Sequence, residues 1–311
     1  MPASSPPPTH PAAPWRVAFA GGPGAAGEAL LIQAPWLAGE PAEEIFPAAV
    51  PAGERDGVRL FRSGGFLLGH AREPFSPADL TVRTEALYRR LLAATAGLHL
   101  CRIWNYVPRI NDHTGGLEHY QAFCSGRSIG FERALGDGFQ SRLPAASAVG
   151  VGGDHVEAVF VASEAAPRHF ENPAQVPAYH YPPEHGPRSP SFARATAVRE
   201  GGAVWLFLSG TAAIKGHETV APDDFTLQIE CTVDNLRLIG RAVGLGNALG
   251  TGRVARRHFK VYLRHASDLA AAQAHLDREV LAPGDRVTYL HAAICRAALA
   301  VEIEATICTD P

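Results

Sequence analysis

The chain has 311 residues, of which 46 % are apolar and 19 % charged, with a formal net charge of −3. This is the composition of a soluble globular protein with material for one large or two ordinary domains. It gives no electrostatic reason to expect nucleic acid or an anionic membrane as partner, and no apolar run approaches the roughly 20 residues that cross a bilayer.

The opening stretch MPASSPPPTHPAAP (1–14) has no basic start followed by an apolar core, so it reads as a proline-rich disordered tail and not as a secretory signal. Gly22-Pro-Gly24-Ala-Ala-Gly27 follows the strand-like VAFA and matches G-x-G-x-x-G. Pro35 cuts the helix that a dinucleotide site requires, and no strand-ending acid stands about 20 residues on, so the stretch reads as a turn.

Strand-like Val58-Phe61 and Phe66-Gly69 precede a helix over 78–96, a strand over 98–107, a helix over 117–135 and a strand over 156–162. A second half repeats that order: strands over 193–198 and 203–214, a helix over 223–244 capped by Asp223 or Asp224, and a strand over 258–264. A helix over 267–280 and closing strands near 289–294 and 299–307 complete it. Each half is thus β-β-α-β-α-β, a mixed α/β (α+β) class with helices packed on one face of each sheet. The expected divisions are the tail, an N-terminal α/β domain over 15–166, an interdomain loop over 167–190 and a catalytic domain over 191–311. The loop, PRHFENPAQVPAYHYPPEHGPRSP, is too long for an idle connection. The basic cluster from Arg253 to Arg257 reads as a solvated turn, and Gly244-Leu-Gly246 with Gly250 as a helix-ending loop.

Five cysteines, at 101, 124, 231, 295 and 308, are odd in number and contain no C-x-x-C pair. That points to reduced thiols in a cytoplasm, away from a disulfide framework or zinc site. His180 and His185 lack helical spacing or a third partner, so no metal and no cofactor is expected.

The chemistry concentrates in LHAAICRAALAVEIEAT (290–306). Strand alternation puts Glu302 and Glu304 on one face, Val301 and Ile303 on the other. A carboxyl on a packed face must be paired or protonated, and a neutral one beside an arginine suits acid chemistry on an anion. The same alternation also fits a half-exposed edge strand whose glutamates face water.

The second half resembles the RidA/YjgF superfamily through SGTAAIKGHETVAPDDFTLQIECTVDNL and the closing VEIEA. Nearly the whole chain resembles the chorismatases, including 3-hydroxybenzoate synthases. That resemblance rests on RIWNYVPRIN (102–111), EHYQAFCSGR (118–127), GPRSPSFARA (186–195), SGTAAIKGHET (209–219) and LHAAICRAALAVEIEA (290–305). It implies two RidA/YjgF-like units and, as substrate, the small molecule chorismate, cleaved to a hydroxybenzoate and pyruvate. It makes Glu302 the catalytic acid and Cys295 the residue accompanying an aromatic product. Arg188, Arg194, Arg296, Tyr181, Gly210 and Thr211 are implied to bind substrate. A monomer or a trimer, and a 3-hydroxy, 4-hydroxy or non-aromatic product, stay open. A RidA-type enamine/imine hydrolase and a non-catalytic metabolite-binding module are the alternatives.

Overall fold

The computed structural model describes residues 15–25, 30–46, 48–252, 254 and 256–309; the tail expected at 1–14 lies outside them. Two β-sheets face each other, and each carries a pair of helices on its outer side. The six-stranded sheet runs Ala145–Val151, His99–Pro108, His155–Ser163, Phe66–Pro74, Val58–Ser63, Val50–Arg55. The nine-stranded sheet runs Arg168–Phe170, Ala195–Glu200, Ala203–Ala212, Val301–Cys308, Arg256–Leu263, Arg286–His291, Leu30–Gly39, Val17–Ala20, Ala42–Glu43. Among the described residues no helix is long and apolar enough to cross a membrane.

The layers follow from strand alternation. Ile103 and Phe160 point outward to helices α1 (Leu80–Ala94) and α2 (His119–Leu135), meeting Leu87, Leu91 and Phe123. Their neighbours Trp104 and Val161 point inward, where Phe19, Phe207, Tyr262 and Leu290 of the other sheet meet them. Val301 and Ile303 face helices α3 (Phe225–Ala242) and α4 (Leu269–Glu279) with Ile229, Val233 and Leu276. Asp224 caps α3 by accepting from the Leu227 N–H at 2.9 Å, as its place before the apolar period suggests.

Helix α2 has little amphipathic contrast in sequence, and its packing comes from two glycines. A Cβ on Gly126 would lie 2.2 Å from the Thr81 carbonyl oxygen, and one on Gly130 would lie 2.7 Å from Tyr88 Cβ. Only glycine lets α2 approach α1 this closely, and that approach fixes where its remaining side chains project.

Several elements differ from expectation, among them the strands Val50–Arg55 and Arg168–Phe170, the latter inside the expected loop over 167–190. Leu30–Gly39 is a strand despite Pro35, which stands where its register against Val17–Ala20 shifts, so the missing N–H breaks no regular ladder. It pairs with Arg286–His291, so Val17–Ala20, Leu30–Gly39 and Ala42–Glu43 complete the sheet of the second half rather than that of the 15–166 unit. Ala145–Val151 is a strand built almost wholly of small residues, and it edges the six-stranded sheet. The basic cluster is only partly described: Arg256 opens a strand, and Arg257 is buried against Asp285 instead of lying in a solvated turn.

Candidate active site

The edge strand Ala145–Val151 is bound to the second half by scattered contacts and not by a ladder. The Ala146 N–H donates to Ser209 Oγ at 2.9 Å, and Gly150 and Ala293 exchange backbone hydrogen bonds of 2.7 and 3.1 Å. This irregular seam leaves a cavity of about 190 Å³, walled by α2, the edge strand, the 167–190 loop and the closing strand.

Glu302 reaches that cavity from near the start of Val301–Cys308, 3 % exposed, and its Oε1 makes no hydrogen bond. Burial, reinforced by the charge of Glu304, pushes its pKa up to about 8 against the pull of Arg102 and Arg194. Glu304 shares the face two residues on and has the opposite fate. It accepts from Arg102 Nη2, from Trp104 Nε1 at 2.6 Å and from Lys260 Nζ at 2.8 Å. Burial opposes its ionisation, but Lys260 and Arg102 outweigh that and hold its carboxyl below the ordinary range. Lys260 Nζ also lies 2.6 Å from Glu43 Oε2, so the strand Ala42–Glu43 joins the network. Two carboxyls driven apart in pKa by their surroundings divide the roles, one a neutral acid and the other a fixed charge.

Gly210 makes room for that acid. A Cβ there would stand 1.9 Å from Glu302 Oε1. Its aim comes from a β-bulge. Leu206 and Leu208 face the helices, the register against the closing strand shifts between Leu208 and Thr211, and beyond it Gly210 and Ala212 line the cavity. The bulge corrects the expectation for Thr211, which is absent from the cavity wall and whose hydroxyl donates to the Ser209 carbonyl at 2.9 Å.

Arg194, Arg296, Tyr181 and Cys295 all line the cavity. Arg194 Nη2 donates to the Tyr181 hydroxyl at 2.9 Å, and its Nε lies 3.9 Å from Glu171 Oε2, an ion pair too long for a hydrogen bond. Arg296 is anchored by the His217 carbonyl at 2.8 Å and lies 5.4 Å over the Tyr181 ring. Burial first, then Glu302, pushes the Cys295 thiol up to about 12, so it stays protonated. Arg188 is not in the cavity wall: Glu132 near the end of α2 takes it at 2.8 Å, a half-exposed surface pair.

The residue missed in sequence is Arg127. It sits on α2 inside EHYQAFCSGR, 1 % exposed, lines the cavity, and its Nε has no acceptor. Its Nη2 points to Cys124 Sγ at 3.8 Å, and the Phe123 ring lies 5.1 Å away. A buried guanidinium without a carboxylate costs several kcal/mol, so the cavity is built for an anion. The one signal in sequence was a charged residue in the middle of a helix flanked by buried small residues. Glu184 and His185, from the loop, and His217, from the hairpin of Ile214–Lys215 and Glu218–Thr219, meet beside the same cavity.

The chain as a whole is similar to known proteins. Residues 44–162 match the family described as chorismatase FkbO/Hyg5-like, N-terminal. A 3-hydroxybenzoate synthase of Streptomyces hygroscopicus is 35 % identical over 86 % of this chain and 82 % of its own. A chorismatase of Streptomyces rapamycinicus is 36 % identical over 82 % of this chain and 78 % of its own. The crystal structure of a chorismatase superposes with a TM-score of 0.78 at 30 % identity, covering 95 % of this chain and 93 % of the other. More than a third of the aligned residues are thus shared with each of the two named relatives, and one architecture runs through both halves and the seam between them: the chain belongs to the chorismatase family.

Proposed function

We propose that this enzyme cleaves chorismate to 3-hydroxybenzoate and pyruvate. The observation that carries the reading is one cavity lined by a buried carboxyl whose Oε1 makes no hydrogen bond, Glu302, and by two buried arginines, Arg127 and Arg194. The two arginines, with Arg296, fit a substrate carrying two carboxylates, which guanidinium forks bind in fixed orientation.

Neutral Glu302 gives its proton to the methylene carbon of the enol-pyruvyl group, creating an oxocarbenium centre. The ring carbon–ether oxygen bond then breaks, and its electron pair becomes the ketone of pyruvate. The neighbouring ring hydroxyl attacks the carbon being released and forms an epoxide. The Glu302 carboxylate recovers a proton, and opening of the epoxide with loss of a ring C–H gives the aromatic acid. Atoms balance without water, since a hydroxybenzoic acid and pyruvic acid together have the composition of chorismic acid. If water captured the ring carbon instead, the product would be a non-aromatic diol. Cys295, small and uncharged on the wall beside Arg296, keeps water from that carbon. The test is to incubate the pure protein with chorismate and separate the products: pyruvate with 3-hydroxybenzoate supports the reading, and saturable binding without turnover overturns it.

The acid sets a pH dependence. Its proton is needed and its pKa is raised, so kcat/KM is expected to be level below about pH 8 and to fall about tenfold per unit above it. A profile that stays level well beyond that point would assign proton delivery to another group.

Cys295→Ala should leave the fold intact at a cost of about 1–2 kcal/mol. Chorismate consumption should persist, while the ratio of hydroxybenzoate to pyruvate falls as diol appears. An unchanged ratio in a folded, active variant would reduce Cys295 to packing.

A further inference from the structure

We propose that Glu184, His185 and His217 form a binding site for one divalent transition-metal ion of the Zn²⁺ class at the edge of the cavity, a site that proton transfer from Glu302 does not require. The three residues are distant in sequence terms only in part: Glu184 and His185 share the single turn Pro183–His185, and His217 follows the hairpin tip at Gly216. Their ligand atoms converge. His185 Nε2 is 3.0 Å from His217 Nδ1, Glu184 Oε1 is 3.6 Å from the former and 3.5 Å from the latter. An ion with bonds of about 2.0–2.1 Å in tetrahedral array spaces its ligand atoms about 3.3–3.4 Å apart. The observed triangle therefore accepts such an ion with shifts of a few tenths of an ångström.

The frame holding those atoms is fixed from several sides. Gly216 N–H donates to the Ala174 carbonyl and Val176 N–H to the Gly216 carbonyl, both at 2.9 Å, which fastens the hairpin tip to the loop. The imidazole rings pack on Tyr181, with centroids 5.2 Å away for His185 and 6.3 Å for His217, and are 5.2 Å from each other. Both elements bearing the ligands are thus oriented before any ion arrives, and little ordering entropy remains to be lost. The donor set selects the ion class. Two imidazoles and one carboxylate suit Zn²⁺, Cu²⁺ or Ni²⁺, whereas Ca²⁺ and Mg²⁺ require mostly oxygen. Glu218 Oε1, 3.3 Å from His217 Nδ1 but outside the triangle, adds negative charge that offsets the Arg296 guanidinium held on the His217 carbonyl. Three protein ligands leave the fourth tetrahedral position to water or a cavity anion.

The experiment uses the full chain, stripped with a chelator and titrated with Zn²⁺ against a chromophoric competitor, then with Co²⁺ read by visible absorption. One equivalent per chain is expected, with a dissociation constant near or below about 1 µM and the intense spectrum of tetrahedral Co²⁺. His217→Ala and Glu184→Gln should each weaken binding at least tenfold, while His180→Ala, outside the triangle, should not. If His217→Ala proves unfolded without metal, the exposed Glu184→Gln variant decides alone. Absence of saturable one-to-one binding, an octahedral Co²⁺ spectrum, or affinity indifferent to both substitutions overturns the proposal. None of these readouts uses turnover, so they stand apart from the chorismate reading.

Discussion

Glu302→Gln is expected to lower kcat by at least about a thousandfold, the middle of the range for removal of a general acid. Chorismate affinity should stay within about tenfold of the parent, or ~1.4 kcal/mol. The reasoning is electrostatic. At pH 7 the native carboxyl is already neutral, with a pKa of about 8, so the amide changes neither the charge nor the size of the cavity wall. It removes only the acidic proton. The two measurements are single-turnover rates and equilibrium titration with chorismate, compared at the same pH. A variant that binds and turns over at near-normal rates would remove Glu302 from the mechanism. One that loses binding as well would make the side chain a structural support.

Gly210→Ala is expected to be nearly as damaging by a different route. The backbone at Gly210 is outside the left-handed region, so alanine meets no conformational objection there. Its methyl would lie 1.9 Å from Glu302 Oε1, 2.6 Å from Glu302 Cδ and 3.1 Å from Ser147 Cβ. Leu208 and Thr211, paired with the closing strand on either side, pin the bulge that carries Gly210, so the carboxyl must swing away. A displacement of about 1 Å at a reacting group can cost on the order of a hundredfold in rate, while overpacking costs about 1–3 kcal/mol of stability. The expected signature is therefore a loss of at least about a hundredfold in kcat/KM in a protein that still unfolds cooperatively. Retained activity would show that the carboxyl works from another position.

Local patterns carried much of the fold. Helices α1, α3 and α4 answer to the apolar period, with Asp224 capping the start of α3, and the alternation of Val301 to Glu304 is the alternation the sheet displays. What escaped lies in contacts between distant segments. AASAVGV has no strand period because its side chains are small enough for the seam, and LLIQAPWLAG looks broken at Pro35 because its register shift is invisible without the partner strand. Alternation alone also could not place Thr211, since one bulge reverses the facing of every residue beyond it. Nor does local pattern rank arginines. Arg188 meets Glu132 and Arg127 does not meet any carboxylate, and that difference arises only when α2 packs on α1 through Gly126 and Gly130. Glu302 was legible because resemblance and alternation agreed on it; its lack of a hydrogen-bond partner was not.

The placement of Val17–Ala20, Leu30–Gly39 and Ala42–Glu43 bears on how the molecule is made. Leu30–Gly39 pairs with Arg286–His291, and Glu43 completes the surroundings of Lys260, so the first described strands wait for partners translated much later. Pairings this remote slow the approach to the native state, because chain must be closed into a long loop before any contact repays it. Until Arg286–His291 leaves the ribosome, Phe19 and Ile32, fully buried in the finished sheet, can meet only the six-stranded sheet's side of their core. The early strands are then exposed edges, open to pairing with another nascent chain. The yield of active protein is thereby tied to the interval between the first and last strands, a quantity that translation speed and chaperone supply control and the finished cavity does not reveal.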